Sequence, residues 1–207
     1  MLGIRSDSLL DSELRKYLYF VFSALVFSKL QLFLPYIGIK ISALSVPLVM
    51  VGWIFGPMMG FATGVLVDLI SLSDYHTFSP LFLLQTAAIG YLGGIVRRLP
   101  DSFSLLPLNL IYFLVSLFFA QDLIPVVLFH ILMTTYLASR DPHWAKAAII
   151  LTLIALLLSF LYGSFSAHSY FSHGTLDFFL RARIFKESLK ISFLTPILGY
   201  LLSNYGK

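Results

Sequence analysis

Cysteine is absent from the 207 residues, which excludes disulfides and thiolate metal sites and leaves thiol usage silent about redox compartment. Charge is scarce as well: Asp, Glu, Lys and Arg make up 12% of the chain, about half the ~25% usual in soluble domains. The five histidines, at 76, 130, 143, 168 and 173, include no i,i+4 pair and no HExxH, so no metal site is expected. His130, in an apolar stretch, reads as a packed histidine. No GxxxxGK followed by Ser or Thr occurs, so the chain has no P-loop for nucleotide phosphates, and no catalytic signature marks it as an enzyme. Linkers, charge blocks and low-complexity segments are missing too, and one domain over residues 1–207 is expected. No cleavable leader is expected either. Arg5, Asp7, Asp11, Glu13, Arg15 and Lys16 precede the first apolar stretch, which would itself serve as insertion signal.

What fills the chain is apolar: 58% of residues are hydrophobic and the mean hydropathy is +0.89. An all-α, polytopic membrane protein is therefore expected, since crossing ~30 Å of hydrocarbon takes about 20 helical residues. Spans are predicted near 17–35, 43–56, 57–72, 80–96, 104–120, 123–138, 145–163 and 187–203. The charge-free run from 41 to 67 is too long for one span, and Gly56-Pro57 divides it. With both termini cytoplasmic, Arg15-Lys16, Arg97-Arg98, Arg140, Lys146 and Lys207 fall inside, as the positive-inside bias asks. Arg181, Arg183 and Lys186 then fall outside. The net charge of +4 does not suggest nucleic acid, because the basic residues lie in loops between spans and form no aromatic-interleaved patch.

Gly56, Gly60 and Gly64 are four apart and lead to Asp68, so they form one smooth stripe on a helix face. Small residues let helix backbones approach closely in a membrane, and a packing face is the simplest reading. Asp68 either braces a neighbouring helix or touches a ligand. A second small-residue set is Ala87, Gly90 and Gly94, with Gly93 beside them; Ala24 and Ser28 form a third. Polar and aromatic residues gather in the loops expected outside: Tyr36, Lys40, Ser42 and Ser45, then Ser73, Asp74, Tyr75, His76, Thr77 and Phe78, with Gln85 near the second group. Such a rim suits a cleft with aromatic walls and a few polar groups, or an interfacial aromatic belt.

The segment IKISALSVPLVMVGWIFGPMMGFATGVLVDLI resembles the substrate-binding S components of energy-coupling-factor (ECF) vitamin transporters, folate-type branch. The resemblance is carried without a gap by Ile39, Lys40, Ile41, Ser42, Pro47, Gly52, Phe55, Gly56, Pro57, Gly60, Gly64 and Asp68. SPLFLLQTAAIGYLGGI is similar to the family's next helix through Pro80, Phe82, Leu84, Ala87, Gly90 and Gly94, and FKESLKISFLTPILGYLL looks like its last. The likeness covers roughly residues 17–98. Two departures stand out: Lys40 occupies the place of the family's arginine and lacks its bidentate fork, and residues 104–138 add a helical hairpin to the family's six-helix core.

The resemblance implies a non-enzymatic transport subunit of the bacterial cytoplasmic membrane. It would capture a vitamin-like, anionic or folate-type small molecule at the outer face, with no cofactor, through Tyr36, Lys40, Ser42, Asp74, Tyr75, His76, Phe78 and Gln85. It would reorient when docked, through Ala24 and Ser28, on a transmembrane coupling subunit driven by two ABC ATPases. The rod-shape-determining membrane protein D family is similar in fold and shares GxxxGxxxD followed by Leu and often Ser, which DLIS at 68–71 fits. That likeness implies a scaffold whose glycine stripe and loops dock membrane proteins of the cell-wall elongation machinery. The proline interval favours the S component: Pro47 stands 13 residues before Gly60 with the Gly-Pro turn between.

Overall fold

The computed structural model describes residues 4–34, 39–71, 80–100, 106–119, 141–165 and 175–205, with the isolated helical positions 124, 128 and 135. Among them the chain is helical apart from one small ribbon. In order come α1 (Ile4–Lys29), β1 (Gln31–Leu34), β2 (Ile39–Ser42), α2 (Ser45–Phe55), α3 (Pro57–Ser71), α4 (Pro80–Arg97) and α5 (Leu106–Phe119). They are followed by α6 (Pro142–Leu153), which continues as a π-helix over Ile154–Gly163, and by α7 (Leu176–Tyr205). The expected span at 123–138 lies outside the described residues, save for those three helical positions.

Three boundaries differ from the expectation, each for a physical reason. The first helix begins at Ile4 and ends at Lys29, because the charged stretch before Tyr17 is itself helical and the chain then turns extended. There, Gln31 pairs with Ser42, Leu32 with Ile41, Phe33 with Lys40 and Leu34 with Ile39, antiparallel. The alternation in IKIS, with two β-branched residues, is the local pattern of a strand. It is a local feature of a chain that is otherwise helical, as the all-α expectation has it, among the described residues. The last helix starts at Leu176, eleven residues before the expected 187, because its charged residues turn inward instead of ending it.

Helix α2 is the centre of the bundle: every residue from Ser45 to Trp53 is buried, with α1, α3, α4 and α7 packed around it. Its 11 residues reach about 16 Å at 1.5 Å per residue, short of a bilayer core, because the Gly-Pro pair ends it. Gly56 takes φ +95°, a conformation open to glycine, and its N–H still closes on Gly52 O at 3.0 Å. Pro57 has no N–H to give Trp53 O, and it starts α3 at a position where none is needed. Arg97 on α4 supplies the missing donor: its Nη1 donates to Trp53 O at 2.6 Å and to Ile54 O at 3.3 Å.

Helices α3 and α4 meet backbone to backbone. A Cβ on Gly60 would run into the carbonyl of Gly90, and one on Gly90 into the carbonyl of Gly60. A Cβ on Gly64 would stand 2.6 Å from Ala87 Cα, and one on Gly93 2.5 Å from Val49 O on α2. Gly94 faces Pro57 in the same way. Small residues on three helices thus make one three-way contact, the device membranes use when apolar burial cannot drive association.

The second half begins at Asp141, which caps α6 by accepting from His143 N at 2.9 Å, with Pro142 at the first helical position. Trp144 packs on Gly199 of α7, where a Cβ would stand 2.8 Å from indole Cδ2. One core joins α1 through α7, from Phe20 and Ala24 to Leu198 and Leu202. Arg97 and Lys146 share one end of the bundle: Lys146 Nζ donates to Arg97 O at 3.4 Å and lies 5.9 Å from the Trp53 ring centre. Lys29 and Ser71 mark the other end, with Lys29 Nζ donating to Ser71 O at 3.2 Å. Among the described residues, Pro142–Gly163 is the helix long and apolar enough to cross a membrane alone, while α2 and α3 are shorter apolar helices.

Candidate functional site

Much of the rim expected from sequence, namely Tyr36, Asp74, Tyr75, His76 and Phe78, lies outside the described residues. Lys40 stands on β2 opposite Phe33; its side chain is not among those described. Ser42 is committed locally: its Oγ donates to Phe27 O at 2.8 Å and accepts from Leu44 N at 3.2 Å. That pair of bonds fastens the ribbon to α1 and starts the turn into α2. Gln85 sits half-buried on α4.

Asp68 braces two helices. Thr86 Oγ1 on α4 donates to its Oδ1 at 3.3 Å, one turn beyond the contact of Gly64 with Ala87. The small residues of α1 are also used within the chain. Ala24 is fully buried, and Ser28 Oγ donates to Leu25 O at 2.7 Å while accepting from Ser71 Oγ at 2.7 Å. Ser28 thus joins α1 to α3 and is half-buried, while Ala24 lies in the core of its own chain. The open face of α1 carries Leu14, Leu18, Phe22 and Val26, an i,i+4 ladder.

The polar site that the structure does assemble is elsewhere, on the inward face of α7. Glu187 is 3% exposed. Its Oε1 accepts from Ser159 Oγ in the π-helix at 2.8 Å, and Lys190 Nζ lies 3.5 Å from Oε2. Arg183 Nη1 donates to Ser159 Oγ at 3.4 Å, and Arg183 and Lys186 both stand within electrostatic reach of Glu187. Residues 183, 187 and 190 are i, i+4 and i+7, one helix face. Beside them the hydroxyls of Tyr112 on α5 and Ser188 are 2.7 Å apart, and Tyr112 OH also donates to Ile184 O at 3.4 Å. Arg181, expected with Arg183 among outward charges, points away and pairs with Asp177 at 2.7 Å on the exposed side.

Local features position this cluster. The π-helix, a geometry that recurs at functional sites, brings Ser159 and Gly163 to α7. At Gly163 a Cβ would stand 2.5 Å from Arg183 Nη1, so the guanidinium lies across bare backbone. Sequence reading passed over Glu187 and Lys190 because they fell inside or beside an expected span; their i,i+3 spacing with Arg183 one turn earlier was the available signal. Chemically the arrangement offers cations, hydroxyls and one carboxylate, which suits holding an anion. Among the described residues no group of three His, Asp or Glu side chains could hold a metal.

No protein-family model matches the chain. Over 60 residues, 28% of this chain, it is 33% identical to an uncharacterized protein of Mycoplasma pneumoniae. The match spans 21% of that relative's length.

Proposed function

We propose that the protein is a multi-pass subunit of the bacterial cytoplasmic membrane that binds a small molecule, of the type of the ECF S components, and catalyses no bond change. The observation that carries this reading is the inversion of polarity in α7. Arg183, Lys186, Glu187 and Lys190 turn toward the bundle, while Phe193, Ile197 and Tyr200 on the same helix are more than half exposed. Ionisable groups in a lipid-facing bundle are costly and mark binding or transport pathways. The outer surface is apolar elsewhere too, at Leu18, Phe22, Met58, Leu114 and Phe118.

In this reading the ungapped Gly-Pro segment builds a rigid α2–α3–α4 unit, and the second half supplies the ligand-binding face. A separate transmembrane coupling subunit and its ABC ATPases would provide the energy, since the chain has no P-loop. The Leu14–Leu18–Phe22–Val26 ladder, not Ala24, would meet that subunit or lipid. The alternative, a cell-shape scaffold of the rod-shape-determining D type, would dock partners through the glycine stripe. Gly60 and Gly64 of that stripe are covered by α4, which weighs against it.

The reading is tested by thermal unfolding of the detergent-purified protein with a panel of folates, riboflavin, pantothenate, thiamine and biotin. A saturable stabilisation by one member is expected, following RT ln(1 + [L]/Kd). A flat response to every member sinks the transport reading, and co-purification with wall-synthesis membrane proteins in its place would favour the scaffold.

A further inference from the structure

We propose that Arg183, Lys186 and Lys190 hold the acid end of a small ligand carrying two negative charges, and that Glu187 is a tethered competitor for the same cations. This rests on the reading of the chain as a small-molecule-binding membrane subunit, and it names the site and the ligand class.

Charge balance comes first. Three cations and one carboxylate share the inward face of α7, so among the described residues three positive charges against one negative leave two. Charges removed from water are stable when paired, and a monoanion would neutralise half of that excess. A phosphate monoester or a pair of carboxylates would neutralise all of it. The shared chemistry is a dianion.

Geometry points the same way. The Arg183 guanidinium has five donors in a planar fork, yet its contact with Ser159 Oγ is a long 3.4 Å. That hydroxyl already directs its own proton to Glu187. Lys190 sits 3.5 Å from Glu187, longer than a close charge-assisted bond of about 2.7–2.9 Å. These cations are thus held near a carboxylate without being tightly engaged by it, which is the state expected of a site kept ready for a better acceptor. Ser164 Oγ follows Gly163 in the chain, is fully buried and has no hydrogen-bond partner among the described residues. It is an uncommitted buried hydroxyl next in the chain to the glycine on which the guanidinium lies.

Glu187 then sets affinity. Its charge opposes an incoming anion and keeps the cations from repelling one another while the site is empty. Replacing it by the isosteric amide removes the opposition and retains a group that Ser159 can bond. Dianion affinity therefore rises in Glu187→Gln by about tenfold or more, as expected for removing a like charge a few ångströms away at low effective dielectric.

The test is binding to the purified full-length protein in detergent, by calorimetric titration with inorganic phosphate, glutarate, acetate and choline. Wild type is expected to bind phosphate or glutarate at least about tenfold more tightly than acetate, and choline not at all. Preference for phosphate identifies a phosphoryl ligand, preference for glutarate paired carboxylates. Arg183→Gln and Lys186→Gln should weaken the preferred dianion about tenfold, and Glu187→Gln should tighten it. Should that variant not fold, amine-reactive labelling of Lys186 and Lys190 in wild type, slowed by the saturating dianion, gives an independent readout. The proposal is overturned by tighter acetate binding, by weaker or unchanged dianion binding in folded Glu187→Gln, or by unaltered lysine labelling. If neither dianion binds while a neutral or cationic vitamin does, this inference falls and the proposed function stands. If no ligand of any class binds, the proposed function itself falls.

Discussion

A single methyl group added at Gly60 tests the packing logic of the first half most directly. In Gly60→Ala the new Cβ would lie 2.6 Å from the Gly90 carbonyl carbon and 2.7 Å from Gly52 Cα. Carbon atoms at rest are ~3.5–4.0 Å apart, so α3 must withdraw from both α4 and α2 by about 1 Å. Neither obstacle is a flexible side chain that could swing aside. Overpacking of this kind costs about 1–3 kcal/mol, and with backbone on two sides the upper end is expected, about 3 kcal/mol. At ~2–4 °C per kcal/mol for a chain of this size, melting should fall by about 6 °C or more. The assay is thermal unfolding in detergent, followed by the intrinsic fluorescence of the two tryptophans, of which Trp53 lies on α2, one of the two helices from which α3 withdraws. Ala62→Leu, on the exposed side of the same helix, is the control and should change stability by no more than about 0.5 kcal/mol. If Gly60→Ala melts alongside Ala62→Leu, the backbone contact does not exist and the reasoning fails. Gly60→Leu should go further and lower the yield of folded protein.

Gly56→Ala should destabilise by about 1–3 kcal/mol through its positive φ alone, since a Cβ there meets nothing within 4 Å; equal melting temperatures would contradict that conformation. Arg97→Gln should cost about 1.5–3 kcal/mol, the worth of a hydrogen bond from a charged donor, with altered Trp53 emission; Arg97→Lys should recover part of the loss. Tyr112→Phe, which removes the hydroxyl shared with Ser188, should cost about 1 kcal/mol, measured by the same unfolding curves. Because the chain has no cysteine, single-cysteine variants report topology cleanly: Arg98→Cys should react with an impermeant thiol reagent from the cytoplasmic side and Leu30→Cys from the other. Reaction of both from one side would refute the alternation of spans that the proposed multi-pass reading requires.

Local pattern made several features legible. The break at Gly56-Pro57 depends on two residues and their own backbone limits, so it could be read without any neighbour. The four-residue spacing of Gly56, Gly60 and Gly64 likewise marks a helix face by helical geometry alone. The β1–β2 ribbon was legible in principle, because IKIS alternates, but the surrounding apolar composition made helix the stronger expectation. Asp68 could be narrowed to a brace or a ligand contact; the bond from Thr86 supplies the brace.

Other features belong to tertiary structure, because they are contacts between segments far apart in the chain. Nothing local says that Gly60 meets Gly90, that Ala24 is covered by its own chain while Ser28 bonds to Ser71, or that Arg97 serves the carbonyl stranded by Pro57. The charges of α7 show the difference most clearly. As sequence, Arg183 and Lys186 look like loop residues outside a membrane, since charge ends an apolar run. Folded, they lie inside a 30-residue helix with Glu187 and Lys190, because Ser159 and the bare backbone at Gly163 give them polar company there. Composition decided that the chain is apolar and helical, since those properties add up residue by residue. Which polar groups face one another was decided by the packing of α5, α6 and α7, since pairing is a property of space and not of order along the chain.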